Sequence, residues 1–323
     1  MTLAFLHAAI GDDLKRVDAV LRGSLDSDVA LIRRIADYIV GGGGKRLRPA
    51  LLLLVARACG DAGGHRYPLA AVVEMIHTAT LLHDDVVDES SQRRGRATAN
   101  ATFGNAASVL VGDFLYSRAF QMMVGTGRMR VLEILSEATN VIAEGEVLQL
   151  MHAGDATLTE DGYVEVIRRK TAKLFEASAR LGAVLADPDR VREDAYASYG
   201  MHLGSAFQIM DDVLDYTGEA GEIGKNLGDD LAEGKMTLPL IRALAVGGDA
   251  ERTVIRHAID GGGRLEDFAP VRAALERTGA IAYARDRAAD EARRARDALA
   301  GVDAHPDVAT LLQLATFAAD RTY

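Results

Sequence analysis

The sequence predicts an all-α fold, and three observations support this prediction. Hydrophobic residues make up 49% of the 323 residues, but only 5% are aromatic and tryptophan is absent. The core must therefore consist of Leu, Ile, Val, Ala and Met, and Leu and Ala favour helix over strand. Only six prolines interrupt the chain, which leaves room for long helices. Apolar residues recur at spacings of three and four, and runs that alternate apolar and polar residues before a hairpin turn are absent.

Four helices follow directly from local patterns. Apolar residues repeat along one face over residues 29–40 and again over residues 129–151. A long helix is expected over residues 187–216, because Asp187-Pro188 supplies an N-cap and a proline at the first helical position. Another helix is expected to start near Pro49.

Glycine-rich and polar segments predict where the helices end. These segments are residues 41–44, 60–64, 217–234 and 247–248, and the stretches around Asp155 and Asp187. They divide the chain into roughly a dozen helices, and no Pro/Ser-rich linker or internal repeat separates them. We therefore expect one domain, residues 1–323, that forms a single large helical bundle around a central cavity.

Net charge and composition exclude several function classes. The formal net charge of -10 argues against nucleic-acid binding, because an acidic chain repels phosphate polymers. A small phosphorylated substrate is compatible with this charge if metal ions and local lysines or arginines neutralise it. No apolar run approaches ~18 residues, so no membrane span is expected, and the N-terminus lacks a signal-peptide pattern. Cys59 is the single cysteine, which excludes an intrachain disulfide, and we expect a cytoplasmic protein.

A first acidic motif lies within an apolar helical segment. Asp84 and Asp88 are one turn apart on the same helix face, and His77 lies two turns earlier on that face. Like charges at this spacing destabilise a helix unless a cation lies between them, and magnesium prefers such hard oxygen ligands. For this motif alone, a solvated acidic helix face is an equally good interpretation.

The same Asp-Asp-x-x-Asp spacing recurs in a second apolar segment. Gln208, Asp211, Asp212 and Asp215 are three or four residues apart and share one side of a helix. Two acidic faces embedded in hydrophobic sequence are costly unless they meet across a metal-filled site. The recurrence therefore predicts a metal site between the two helices.

Three basic clusters supply cations that a diphosphate needs. A glycine-rich approach to a helix, residues 41–49, can bring backbone N–H groups, Lys45 and Arg48 onto one phosphate group. It is not a Walker loop, because arginine rather than Ser/Thr follows the lysine. The second cluster, Arg93 and Arg94, follows the first acidic helix and suits bidentate phosphate contact. Each of these two clusters alone is also compatible with an ordinary exposed turn.

The third basic cluster is dispersed. Lys170-Thr171 lies in the middle of a helix, and Lys225 and Lys235 flank a loop rich in Gly, Asp and Lys. Such a loop is typical of a mobile flap. A plain surface charge is the alternative interpretation for Lys235.

Together, these motifs resemble the trans-type isoprenyl (polyprenyl) diphosphate synthases. The similarity covers nearly the whole chain, from Gly-Gly-Lys45-Arg-Leu-Arg48-Pro through both aspartate motifs to Glu233-Gly-Lys235. Residues 98–113 resemble the long-chain bacterial branch of the family, which includes octaprenyl diphosphate synthases. One departure is Met236, at a position where the family often has proline.

The resemblance implies an isoprenoid synthase fold and assigns roles to the motifs. Isopentenyl diphosphate would bind to Lys45, Arg48, His77 and Arg94. The allylic diphosphate would contact Arg93 and would be covered by Lys170, Lys225 and Lys235. Magnesium would be coordinated by Asp84, Asp88 and Asp211, with further support from Asp85, Asp212 and Asp215. The reacting carbon would face Thr171 and Gln208.

The reaction expected for such a site is chain elongation. Magnesium assists loss of the allylic diphosphate, the alkene of isopentenyl diphosphate attacks the resulting carbocation, and a proton is lost. The resemblance implies farnesyl diphosphate as primer, a homodimer with an interface around residues 106–120, and a product used for quinone side chains. Transient membrane contact would release this apolar product.

Small residues before the first acidic motif predict a long product. Bulky aromatic residues at these positions form a floor in short-chain family members, whereas this chain has Ala79 and Thr80. The tunnel should then run past Ile76, with Met122 or Met123 as a plug or as ordinary core filler. The alternatives are a farnesyl or geranylgeranyl diphosphate synthase, a terpene cyclase and a non-catalytic regulatory subunit. A cyclase would not need Lys45 and Arg48, and a regulatory subunit would be expected to lack one acidic motif.

Overall fold

The computed structural model describes residues 3–93, 95–218 and 227–321. Within these ranges the chain forms sixteen α-helices and a single π-helical turn, so the all-α prediction is confirmed. The first helices are α1 Ala4–Ser24, α2 Ala30–Val40, α3 Leu47–Ala58, α4 Arg66–Val87, α5 Ala99–Phe103, α6 Asn105–Val124, α7 Met129–Met151 and α8 Glu160–Ile167. The π-helical turn Arg168–Ala172, called the π-turn, joins α8 to α9. The remaining helices are α9 Lys173–Val184, α10 Arg190–Thr217, α11 Asp229–Ala232, α12 Leu238–Val246, α13 Asp249–Asp260, α14 Leu265–Arg277, α15 Ala280–Ala298 and α16 Pro306–Asp320.

Helices predicted from periodicity agree better with the structure than the one predicted from a cap. The bounds of α2 and α7 match the prediction to within one residue, and α3 starts two residues before Pro49. The predicted cap at Asp187 is wrong. The N-cap of α10 is Asp189, whose carboxylate accepts a hydrogen bond from the backbone N–H of Arg192 at 2.8 Å. Asp187 instead takes a left-handed conformation with φ 49°, so the chain turns there before the helix begins.

A small hairpin follows α4, where no strand was expected. Strand β1 Gln92–Arg93 pairs antiparallel with β2 Arg96–Ala97. Strands of two residues are too short to show alternation, and Gly95, with φ 70°, is the local turn signal. The hairpin matters for the site because it sends the chain back past the end of α4.

The core consists of two apolar clusters that share α10 and α15. The larger cluster also joins α1 to α7, α9 and α16, and the smaller one also joins α8 and α11 to α14. Helix α10 contributes Leu203 and Ala206 to the first cluster, and Ile209 and Val213 to the second. Residues 50–56 of α3 are all fully buried, as expected of a helix that is apolar on every side. No helix in the described part of the chain has the length and apolar character needed to cross a membrane.

Candidate active site

A cavity of about 480 Å³ lies between the carboxyl-terminal part of α4, α7, α8, the π-turn and α10. Its volume falls in the range of about 300–1,000 Å³ that is typical of small-molecule sites. The predicted site residues that line it are Lys45, Arg48, His77, Thr80, Asp84, Asp88, Arg93, Lys170, Thr171, Gln208, Asp211, Asp212, Asp215 and Lys235. Arg94 and Lys225 lie outside the described residues. Sequence motifs up to 190 residues apart, from Lys45 to Lys235, therefore meet at one cavity.

The acidic face of α4 lies against two lysines from distant segments. Lys170 Nζ lies 3.6 Å from Asp84 Oδ2, and Lys235 Nζ lies 3.1 Å from Asp88 Oδ2. Burial raises the pKa of Asp84, Lys170 lowers it, and repulsion by Asp88 raises it further. A bound cation would relieve both the burial penalty and the repulsion, since it favours the ionised carboxylates.

The middle aspartate of this motif serves a different purpose. Asp85 is buried, and its Oδ1 accepts hydrogen bonds from Arg93 Nε at 2.9 Å and Nη2 at 2.7 Å. The hairpin carries Arg93 back over the end of α4, where Asp85 fixes the guanidinium at the cavity wall. Asp85 thus orients a basic residue and is not itself on the cavity wall.

The acidic face of α10 is organised by hydrogen bonds. Asp212 Oδ2 accepts from the Tyr163 hydroxyl at 2.5 Å, and Oδ1 accepts from Gln208 Nε2 at 2.7 Å. The other end of the Gln208 amide accepts a hydrogen bond from the Thr171 hydroxyl at 2.9 Å. Burial raises the pKa of Asp212 to about 8, repulsion by Asp230 adds to this, and the two hydrogen bonds oppose it. Asp211, on the same face, forms an ion pair with the buried Arg321.

The π-turn presents Lys170 and Thr171 to the cavity. A Cβ atom on Gly204 of α10 would lie 2.6 Å from Ala172 Cα, so only glycine allows α10 to approach the π-turn this closely. Gln208 lies one helical turn beyond Gly204 and therefore reaches Thr171. The sequence predicts these residues within a helix, and the π-helical geometry is the feature that it missed. Such turns are frequent at functional sites.

The glycine-rich basic segment is anchored by a residue that sequence reasoning did not single out. Arg46 takes a left-handed conformation with φ 49°, and its guanidinium binds Glu74 Oε1 at 2.5 Å and Asp18 Oδ1 at 3.2 Å. Its neighbours in sequence, Lys45 and Arg48, lie on the cavity wall. The ion pairs of Arg46 with α1 and α4 therefore tie down the backbone segment that carries both cations.

Besides Arg46, several other residues of the site were missed by the sequence analysis. Among them are Glu74, Glu146, Tyr163 and Arg321, which all line the cavity. Glu146 Oε2 lies 2.5 Å from Lys170 Nζ. Burial raises the pKa of Glu146 to about 7, although Lys170 lowers it. A single acidic or aromatic residue in a helix forms no local motif that the sequence could reveal, because its partner is distant in sequence.

The residues present fit a divalent cation that is shared with a substrate. Among the described residues, no group of three or more metal-ligating side chains is close enough to enclose a metal ion. Magnesium does not require such a group, since it keeps several waters and takes substrate phosphates as ligands. Asp84, Asp88 and Asp211 supply hard oxygens from two helices to one cavity, and each now lies against a side-chain cation.

The two residues predicted to set product length lie in different surroundings. Thr80 is on the cavity wall, and its hydroxyl donates to the His77 carbonyl oxygen at 2.8 Å. Ala79 is fully buried in the larger apolar cluster, as are Ile76 and Met123. Thr80 therefore contacts the cavity directly, whereas the role of Ala79 remains a prediction.

The fold and the site together define an all-helical enzyme in which two carboxylate faces and a basic rim enclose one cavity. Residues 29–276 match the family model described as Polyprenyl synthetase. The chain belongs to this family, and the family predicted from the sequence is confirmed.

Relatives are similar over their full length. The chain is 50% identical to octaprenyl diphosphate synthase of Escherichia coli over 321 residues, which cover 99% of each chain. It is 45% identical to a geranyl-diphosphate-specific all-trans-nonaprenyl-diphosphate synthase of Rhodobacter capsulatus, over 97% of this chain and 96% of that one. The structure of a Caulobacter crescentus polyprenyl synthase, complexed with calcium and isoprenyl diphosphate, superposes with a TM-score of 0.96. That comparison covers 100% of this chain and 98% of the other at 45% identity.

Proposed function

We propose that this protein is a long-chain all-trans-polyprenyl diphosphate synthase. It condenses isopentenyl diphosphate with an allylic diphosphate, with farnesyl diphosphate as primer and an octaprenyl-like product. The observation that carries this proposal is that Asp84, Asp88 and Asp211 line the same cavity as the basic residues Lys45 and Arg48. The similarity to synthases of long prenyl chains supports the product class.

Each group of side chains has a defined task in this reaction. Lys45, Arg48, His77 and Arg94 bind isopentenyl diphosphate, and Arg93, Lys170, Lys225 and Lys235 hold the allylic diphosphate. Asp84, Asp88 and Asp211 would hold magnesium, which would supply the positive charge that stabilises the leaving diphosphate. The Gln208 amide oxygen accepts a hydrogen bond from the Thr171 hydroxyl, so lone pairs of the Thr171 oxygen remain for a developing carbocation. The released proton passes to the departed diphosphate.

Further properties of the enzyme belong to the same proposal. Residues 1–323 form a single polyprenyl synthase domain, which is supported by the sharing of α10 between both core clusters. The chain forms a homodimer through α6, where Val109, Leu110 and Phe120 are exposed. It acts in the cytoplasm, supplies quinone side chains and contacts the membrane transiently to release product.

Product analysis with labelled isopentenyl diphosphate tests the proposal. Purified protein is incubated with farnesyl diphosphate and magnesium, and the dephosphorylated products are resolved by chain length beside an Asp84→Ala control. A magnesium-dependent ladder that ends in a long product and is absent from the control is the expected result. Products that stop at three or four isoprene units would identify a short- or medium-chain synthase. Absence of incorporation would favour the regulatory subunit.

A variant at Thr80 tests the product length separately. Because Thr80 lines the cavity, Thr80→Phe should shorten the product. Ala79→Phe, expected from the sequence to have the same effect, places an aromatic ring at a fully buried position and should also destabilise the fold by about 1–3 kcal/mol. An unchanged product from a folded Thr80→Phe variant would remove this residue from the argument.

A further inference from the structure

Three consecutive residues of α7 hold the π-turn. Glu144 Oε2 lies 2.7 Å from Arg169 Nη1, and Glu146 Oε2 lies 2.5 Å from Lys170 Nζ. Between them, a Cβ atom on Gly145 would lie 2.6 Å from the backbone nitrogen of Lys170. Glycine at this position therefore lets α7 approach the π-turn closely enough for both carboxylates to reach their partners.

The two glutamates differ in what they face. Glu146 lines the cavity, with 28% of its side chain exposed, whereas 51% of the Glu144 side chain is exposed. Lys170 Nζ also lies 3.6 Å from Asp84 Oδ2. The ammonium group thus lies between carboxylates from α7 and α4, and its shorter contact is with Glu146.

We propose that Glu146 is a positioning residue that holds the Lys170 ammonium on the α7 side of the cavity and so keeps Asp84 available to the metal ion. This inference rests on the proposed function of the site. Without the Glu146 charge, Asp84 is the remaining ion-pair partner of Lys170 among the described residues. A lysine side chain is flexible enough to move there. Its ammonium would then pair with the Asp84 carboxylate oxygen that a metal ion needs as a ligand.

The position of Lys170 also matters for the metal ion. Lys170 Nζ is closer to Glu146 Oε2, at 2.5 Å, than to Asp84 Oδ2, at 3.6 Å, so a metal ion at Asp84 has to displace only the longer of the two contacts. An ammonium paired with Asp84 alone would compete more strongly for this carboxylate. Glu146 therefore acts through Lys170 and not by direct contact with the reacting atoms.

A double-mutant cycle tests this inference without relying on turnover. Inorganic diphosphate is titrated calorimetrically into the full chain at fixed magnesium concentration, for wild type, Glu146→Gln, Lys170→Met and the double variant. Glu146→Gln should weaken binding about tenfold, as is common when a residue that supports a metal ligand is changed. In the Lys170→Met background the same change should alter binding by less than about twofold, because no ammonium remains to be misplaced.

Several results would overturn the inference. An equal loss in both backgrounds would mean that Glu146 acts independently of Lys170. Tighter binding by Glu146→Gln would mean that Glu146 competes with the diphosphate for Lys170. Glu146→Asp takes the place of Glu146→Gln in the cycle if the amide variant fails to fold. Its shorter side chain moves the carboxylate away from Lys170, so binding should weaken in the wild-type background and stay unchanged in the Lys170→Met background.

Glu144→Gln is the matched control, since it makes the same chemical change two residues earlier in α7. It removes the ion pair with Arg169 and should leave diphosphate binding within about twofold of wild type. A wild type that fails to bind diphosphate with magnesium would overturn the proposed function together with the inference. A wild type that binds normally, with Glu146→Gln unchanged, would overturn the inference alone.

Discussion

The two aspartate motifs have the same spacing but different surroundings. In α4, the first and last carboxylates, Asp84 and Asp88, line the cavity and lie against lysines from other segments. The middle one, Asp85, is turned away to hold Arg93. The partners of the two cavity carboxylates are therefore flexible ammonium groups.

In α10 the partners are more directional. The middle carboxylate, Asp212, is buried under a tyrosine hydroxyl and the Gln208 amide. The first, Asp211, pairs with Arg321, whose guanidinium also donates to the Phe207 carbonyl oxygen at 2.8 Å.

This difference indicates that the acidic faces of α4 and α10 have different roles. A lysine is a compact, mobile charge that a metal ion can displace, whereas a guanidinium or amide with several hydrogen bonds keeps its geometry. We therefore expect the α4 face to exchange its partners when metal and substrate bind. The α10 face should keep its Thr171–Gln208–Asp212 network throughout.

The largest effect should come from the α4 face. Asp84→Asn removes a carboxylate that is proposed to hold magnesium, and kcat should fall roughly 1,000-fold because leaving-group stabilisation is lost. Steady-state kinetics over a range of magnesium concentrations measures this. The matched variant is Asp85→Asn in the next position, which should instead raise the KM for the allylic diphosphate about tenfold through Arg93. Equal kcat losses in both variants would contradict the distinct roles of these neighbours.

An intermediate effect is expected from the α10 network. Gln208→Leu removes the acceptor of the Thr171 hydroxyl and one donor to Asp212. The Thr171 oxygen then loses its fixed orientation, and kcat should fall about 100-fold, as for the loss of one preorganised hydrogen bond. Single-turnover rates isolate the chemical step. Thr171→Ser keeps the hydroxyl and serves as the control, and a comparable loss in that variant would show that the orientation of the hydroxyl is not what matters.

A smaller effect, on stability, is expected when a cationic partner of either acidic face is removed. It distinguishes the lysines that pair with α4, which we expect to be exchangeable, from the arginine that pairs with α10. Lys235 contacts Asp88, Asp230 and Glu233. Lys235→Met leaves these carboxylates facing one another, and the metal-free protein should lose about 2–3 kcal/mol of unfolding free energy, which magnesium should largely restore. Denaturant unfolding with and without magnesium measures both values.

Arg321→Met is the comparison on the other face. It also removes a buried cation from an aspartate, but the Phe207 carbonyl oxygen loses its donor as well. Magnesium should therefore recover less of the lost stability than in Lys235→Met. Equal recovery would remove the distinction between exchangeable and fixed partners.

The sequence predicted those helices and site residues that depend on local periodicity or on repeated motifs. The bounds of α7 were predicted without error because its apolar residues repeat over its whole length. The start of α10 was missed because Asp187 and Asp189 are both plausible caps, and only the fold decides between them. Arg46 and Glu146 were missed for another reason. Their importance comes from Glu74 and Lys170, each more than 20 residues away, and such pairings arise only when the helices pack.

A pH dependence of the α10 face is also expected in the metal-free protein. Burial raises the pKa of Asp212 from 3.8 to about 8. Between these values the unfolded chain ionises this carboxyl while the folded chain keeps it protonated, so its contribution to stability is lost as pH rises. Asp212→Asn has no such loss. Its unfolding free energy relative to wild type should therefore increase from pH 5 to pH 8. Asp297→Asn makes the same substitution at an exposed position of α15 and is the control for the chemical change itself. A flat difference for Asp212→Asn would mean that the hydrogen bonds from Tyr163 and Gln208 already stabilise the carboxylate, which would make the α10 face as ready for a metal ion as the α4 face.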